Sequence, residues 1–90
     1  MADTAETLVV IATYNERETL PQLVREVFAA LPQTHILVVD DNSPDGTWQL
    51  CEEFSAQDAR LRCLRRSGKL GLGSAIAEGL QYGVEQGYRY

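Results

Sequence analysis

The chain has 90 residues, 44% of them apolar and 23% charged, with a formal net charge of −5. That suffices for one small domain around one core, and the ordinary composition without repeats or low-complexity tracts argues against disorder. The acidic balance excludes a general nucleic-acid binder, which needs clustered cations facing phosphate; the one basic knot is Arg60, Arg62, Arg65, Arg66 and Lys69. Residues 1–18 contain neither a basic leader region nor an apolar run long enough to span a bilayer.

LVVIA at 8–12 is a continuous β-branched and aliphatic run, and ILVV at 36–39 is another. Continuous rather than alternating apolarity suits strands covered on both faces, as in a parallel sheet between helical layers. Between them Leu20, Leu23, Val24, Val27, Phe28 and Leu31 recur at helical spacing. Pro21 fits a helix only in its first turn, so the helix is expected to start near Thr19. After the second strand, Ser43 is expected to cap a second helix, with Pro44 at its first position and Asp45 near the positive end of its dipole. That helix carries Trp48, Leu50, Cys51 and Phe54 to about residue 57.

RLRCLRR at 60–66 alternates, as a strand toward a sheet edge should. From Gly71 a third helix follows, with Gly79 and Gly83 in its packing stripe and Gly87 as its stop. Each internal glycine costs about 1 kcal/mol relative to alanine, so close approach of this helix to the sheet is the expected compensation. Cys51 and Cys63 then fall on helix and strand with no short ligand-type spacing. The expectation is two buried, reduced thiols in a cytosolic protein, with neither a zinc site nor a disulfide framework.

The order β-α-β-α-β-α with right-handed crossovers predicts parallel strands near 8–13, 35–40 and 61–65, side by side as 3-2-1. Ligands bind such sheets beyond the carboxyl ends of the strands, where the connection direction reverses. The loops TYNE, after the first strand, and DDNSPDG, ending the second, fall there. A fourth strand beside the first is expected to follow Tyr90, so the chain reads as the N-terminal part of a longer one.

In TYNE, Tyr14 offers a ring for stacking on a base and Glu16 a carboxylate for ribose or ring donors, although the same residues also suit an ordinary turn. Asp40 and Asp41 either hold a ligand or cap the second helix. SGKLGLGSA at 67–75 is neither G-x-G-x-x-G nor G-x-x-x-x-G-K, yet Lys69 beside a helix start makes an anion site conceivable, against a tight turn with a solvated lysine.

Taken together, IATYNERETLPQLV, ILVVDDNSPDGTWQL and GKLGLGSAIAEGLQYG resemble the nucleotide-binding half of glycosyltransferase family 2, and more narrowly its dolichol-phosphate and polyprenyl-phosphate mannosyltransferases. The resemblance runs from Leu8 to Tyr90 and implies a three-layer, Rossmann-like α/β (GT-A) fold. It implies that Tyr14 and Glu16 hold the nucleoside, that Asp41 accepts a hydrogen bond from the base, and that Val39 lines the same pocket. Ala12 contributes a backbone contact where the family commonly has proline. Asp40 and Lys69 are the weaker candidates. Ile76 stands where an aromatic residue is common.

The implied reaction is inverting transfer of a sugar, mannose above others, from a nucleotide diphosphate to polyprenyl or dolichyl phosphate at the cytosolic face of a membrane. GDP-mannose is the favoured donor and UDP-glucose the alternative. Mg²⁺ or Mn²⁺ is implied for the complete enzyme, on an acidic motif after a fourth strand that these residues do not contain; no catalytic or metal residue is assigned within them. A binding-only module from a truncated or inactive transferase is the rival reading. Receiver domains of signalling proteins, which also begin with an apolar run and two acids, place that pair after their first strand rather than their second.

Overall fold

A computed structural model describes residues 7–66 and 72–90, the side chain of Leu72 excepted. The elements run β1 (Leu8–Thr13), α1 (Leu20–Ala30), β2 (His35–Asp40), α2 (Thr47–Gln57), β3 (Leu61–Arg65) and α3 (Leu72–Glu85). The three strands form one parallel sheet with β2 in the centre, which is the order expected from the crossovers. Every residue of β2 is buried, whereas β3 is less covered, with Arg62 and Arg65 exposed.

Two cores sit on opposite faces of the sheet. Leu20 and Val24 of α1 and Cys51 of α2 pack with Ile36, Val38 and Leu61 on one face. Leu37 and Val39 meet Ala75 of α3 on the other. Consecutive residues of β2 thus point to opposite cores, and that is why the run could not alternate with polar residues.

Gly79 is where α3 crosses β1. A Cβ there would lie 2.3 Å from Val10 Cγ1, inside any allowed contact. Gly83 is different, since a Cβ would meet Leu8 at an ordinary 3.4 Å. The close approach expected of both glycines therefore belongs to Gly79. Gly87 follows the end of α3 with φ +84°. On the outer edge of β1, the Leu8 N–H donates to the Tyr90 carbonyl at 2.9 Å.

Two expectations are overturned. Cys51 and Cys63 are joined by a disulfide with Cα atoms 6.3 Å apart. Sequence spacing hid this because helix-to-strand packing, not a short local motif, sets the two side chains face to face. Reduced thiols therefore offer no argument about compartment. The second correction concerns α2, which starts at Thr47 and not at Pro44. Its N-cap position is Gly46 at φ +90°, a conformation that penalises any side chain, so Ser43 and Pro44 remain in the loop.

Gly79→Ala should destabilise the fold by about 1–3 kcal/mol through overpacking against Val10. Gly73→Ala, where a Cβ meets nothing within 4 Å, should be neutral or stabilise by up to about 1 kcal/mol. Paired urea denaturation curves check the contrast. Thiol titration of the unreduced, denatured chain should find both cysteines blocked.

Candidate functional site

Thr13 at the end of β1 is the register partner of Asp40 at the end of β2, so the two following loops leave the sheet side by side. The Asp40 side chain is fully buried. Its Oδ1 accepts from Thr13 Oγ1 at 2.8 Å and Ser43 Oγ at 2.6 Å, and its Oδ2 accepts from the Ser43 N–H at 2.9 Å. Three donors replace the water that burial removed from this carboxylate. Asp40 is thus neither a cap of α2 nor a group presented to a ligand; it ties the two strand ends and the second loop together.

The first loop is held by that second loop through successive backbone amides. The Asn15 N–H donates to Ser43 Oγ at 2.9 Å, the Glu16 N–H to Thr47 Oγ1 at 3.0 Å and the Arg17 N–H to Asp45 Oδ2 at 3.2 Å. Both hydroxyls act as relays. Ser43 donates its own hydrogen bond to Asp40, and Thr47 donates to Asp45 Oδ1. A hydroxyl whose hydrogen is committed to a carboxylate must turn its lone pairs elsewhere, here toward the amides of the first loop. Asn15 and Asn42, both at φ 58°, supply the sharp turns that this docking needs.

Asp41 has a different partner. Arg66, one residue past β3, donates from Nε to Asp41 Oδ1 at 2.6 Å and from Nη2 to Oδ2 at 3.2 Å. The Arg66 side chain is 2% exposed and that of Asp41 7% exposed. The Asp41 hydrogen bond, first among the causes, holds the Arg66 guanidinium above its ordinary pKa. Arg66 was not assigned a role from sequence. The signal lay in the register: Asp40 pairs with Arg65, so the next residues, Asp41 and Arg66, emerge as neighbours of opposite charge.

Two other arginines of the basic knot take separate partners. Arg65 donates to Asn42 Oδ1 and stacks over Trp48, while Arg60 pairs with Asp58 and stacks over Phe28.

Of the other residues singled out in the sequence, Tyr14 is 37% exposed beside the docked loop, and Glu16 is exposed and accepts from Thr19 Oγ1 at 2.7 Å. Ala12 and Val39 are register partners across β1 and β2, but Val39 is wholly buried against the α3 layer. Lys69 lies outside the described residues. The loop cluster borders a shallow concavity of about 390 Å³ lined by residues 15–19 and Asp45. A larger one, about 620 Å³, lies between α1 and α2 around Phe28 and Phe54, away from the acids. The docked loops border the smaller of the two hollows. Among the described residues no three His, Cys, Asp or Glu side chains converge as a metal site. The oxygens of Asp40 and Asp41 are engaged by hydroxyl, amide and guanidinium donors, so the residues present do not fit a divalent cation.

Asp45 is held below the ordinary carboxylate value of 3.8, first by the Thr47 hydroxyl and also by the backbone N–H groups of Arg17 and Thr47. A carboxyl depressed in the folded state adds stability above its unfolded pKa and loses it as pH falls through the folded value. The stability gap between wild type and Asp45→Ala should therefore be constant near neutrality and close as pH drops below 3.8. Urea midpoints for both proteins from neutral to strongly acid pH check this.

Residues 8–86 match Glycosyl transferase family 2. The chain is 51% identical over 86 residues to the polyprenol monophosphomannose synthase of Mycolicibacterium smegmatis, covering 94% of this chain and 32% of that protein. It is 43% identical over 81 residues to the undecaprenyl-phosphate mannosyltransferase of Micrococcus luteus, covering 90% and 33%. Identity to the dolichol-phosphate mannosyltransferase of Pyrococcus furiosus is 41% over 75 residues, covering 81% and 21%. The chain thus spans a third or less of the length of these relatives. The match begins with β1, ends just past α3 and includes both docked loops, and on that extent the chain belongs to glycosyl transferase family 2.

Proposed function

We propose that this chain forms the donor-binding part of a glycosyltransferase that moves mannose from a nucleotide diphosphate to a polyprenyl phosphate with inversion. The observation that carries the reading is the docking of the Tyr14–Glu16 loop onto the acidic loop at the carboxyl ends of β1 and β2. This is where an open parallel sheet takes its ligand. The family match supports transfer of a sugar, and the names of the three relatives support mannose and a polyprenyl phosphate acceptor.

In this reading Tyr14 stacks on the base, Glu16 meets the ribose and Asp41 accepts from a base N–H. Ala12 would contribute its backbone, Val39 would support the pocket from beneath as a buried residue, and Asp40 acts only through the loops it holds. Lys69 would approach the diphosphate. GDP-mannose is the preferred donor. The acceptor phosphate is already an anion, so its attack needs less help from a general base than a hydroxyl would. Mg²⁺ or Mn²⁺ is proposed for the complete enzyme, where it would neutralise the departing diphosphate. No step is assigned to it here, because the described residues supply no ligand set. The lipid acceptor places the reaction at a membrane surface, although no helix among the described residues is long and apolar enough to cross one.

Calorimetric titration of the chain with GDP-mannose, GDP and UDP-glucose tests the reading and ranks the bases. Tyr14→Ala should cost about 1–3 kcal/mol of affinity by loss of stacking, with little effect on the core because the ring is partly exposed. Asp41→Asn should weaken binding by about 1–2 kcal/mol, roughly 5- to 30-fold. Since Asp41→Asn also removes one counter-charge of Arg66, its fold must be checked alongside; Glu53→Gln on the exposed face of α2 serves as the control. Binding of none of the three, or equal affinity of Tyr14→Ala and wild type, would defeat the proposal.

A further inference from the structure

Arg66 does more than neutralise Asp41. Its Nη1 donates to Ser74 Oγ at 2.9 Å and to Glu78 Oε1 at 3.3 Å, both on α3. One buried guanidinium therefore spans the end of β2 and the first turns of α3. A bidentate arginine lies in the plane of the carboxylate it binds, so it fixes that plane and the directions in which the oxygens accept. A point charge in the same place would not. Removing the cation alone would leave a buried charge uncompensated whatever its role, so the fork and the charge have to be separated by experiment.

We infer that Arg66 is a positioning residue for nucleotide recognition, orienting Asp41 as a charged acceptor and transmitting the placement of α3 through Ser74 and Glu78. This rests on the reading of Asp41 as the base acceptor. Among the described residues, the charged groups around Asp41 include Arg66 beyond β3, Glu78 on α3 behind that guanidinium, and Asp40, its neighbour in the chain. With Arg66 present, its cation keeps Asp41 an acceptor. Without it, a buried carboxylate beside two other acids takes up a proton more readily and then offers a donor to the base in place of an acceptor. Loss of Arg66 should thus appear as a new pH dependence of nucleotide binding, which a purely structural role would not produce.

The experiment is titration of GDP into wild type, Arg66→Met, Arg66→Lys and Asp41→Asn between about pH 5 and pH 8, with amide NMR spectra confirming the fold of each. Wild type should bind with little pH dependence. Arg66→Met should bind about tenfold or more weakly at the acid end and recover as pH rises. Arg66→Lys keeps the charge without the fork, so it should show a smaller, pH-independent loss of about threefold, and it decides the matter if Arg66→Met does not fold. Affinities of Arg66→Lys and, where folded, Arg66→Met equal to wild type at every pH, with Asp41→Asn weakened, would overturn the positioning role and leave the base-acceptor reading standing. Unchanged binding by Asp41→Asn, or no GDP binding by wild type, would overturn both.

Discussion

A carboxylate with no exposure at the end of the central strand is the constraint on which the rest depends. Asp40 can be buried only if donors surround it, and the chain supplies them from both sides of the sheet end: Thr13 from β1 and Ser43 from its own loop. Meeting that requirement fixes where Ser43 points, and Ser43 then accepts the amide of Asn15. The first loop is thereby held in place by the solvation needs of a charge in the second. Thr47 and Asp45 repeat the arrangement one step further out.

The consequence for binding is preorganisation. A loop whose amides are already hydrogen-bonded loses less freedom when a ligand arrives, so more of the contact energy appears as affinity. Tyr14 and Glu16 belong to such a loop, yet both keep surface exposed to solvent. The sheet contributes in a second way. β2 is buried along its whole length, so its end cannot move without disturbing both cores, and Asp40 and Asp41 inherit that rigidity.

The two adjacent acids are separated in role by their partners. Asp40 faces neutral hydroxyls and an amide, which satisfy it without cancelling its charge. Asp41 faces a guanidinium that does cancel it. Neighbouring carboxylates repel, and pairing one of them with a buried cation is how this sheet end tolerates both. The α3 layer joins the same system through Ser74 and Glu78, and it comes near enough because Gly79 lets the helix settle on Val10.

The three strands, their boundaries, their parallel order and the division of helices were legible in the sequence, because apolar periodicity reports directly on which faces are buried. Gly79 was legible for a related reason: a residue unfavourable in an isolated helix implies a neighbour that excludes a side chain. The start of α2 was misread, since Ser43 looks like a cap whichever partner it has, and only the three-dimensional demand of Asp40 drew it away. The Cys51–Cys63 bridge and the Asp41–Arg66 pair were equally hidden. Each joins residues brought together by packing across elements, and local pattern carries no record of such distances. Sequence alone determined which segments pair and which loops gather at the carboxyl ends of the strands, through hydrophobicity and crossover handedness. Tertiary structure decided what each acid does there, because the role of a buried charge is set by the donors that packing places around it.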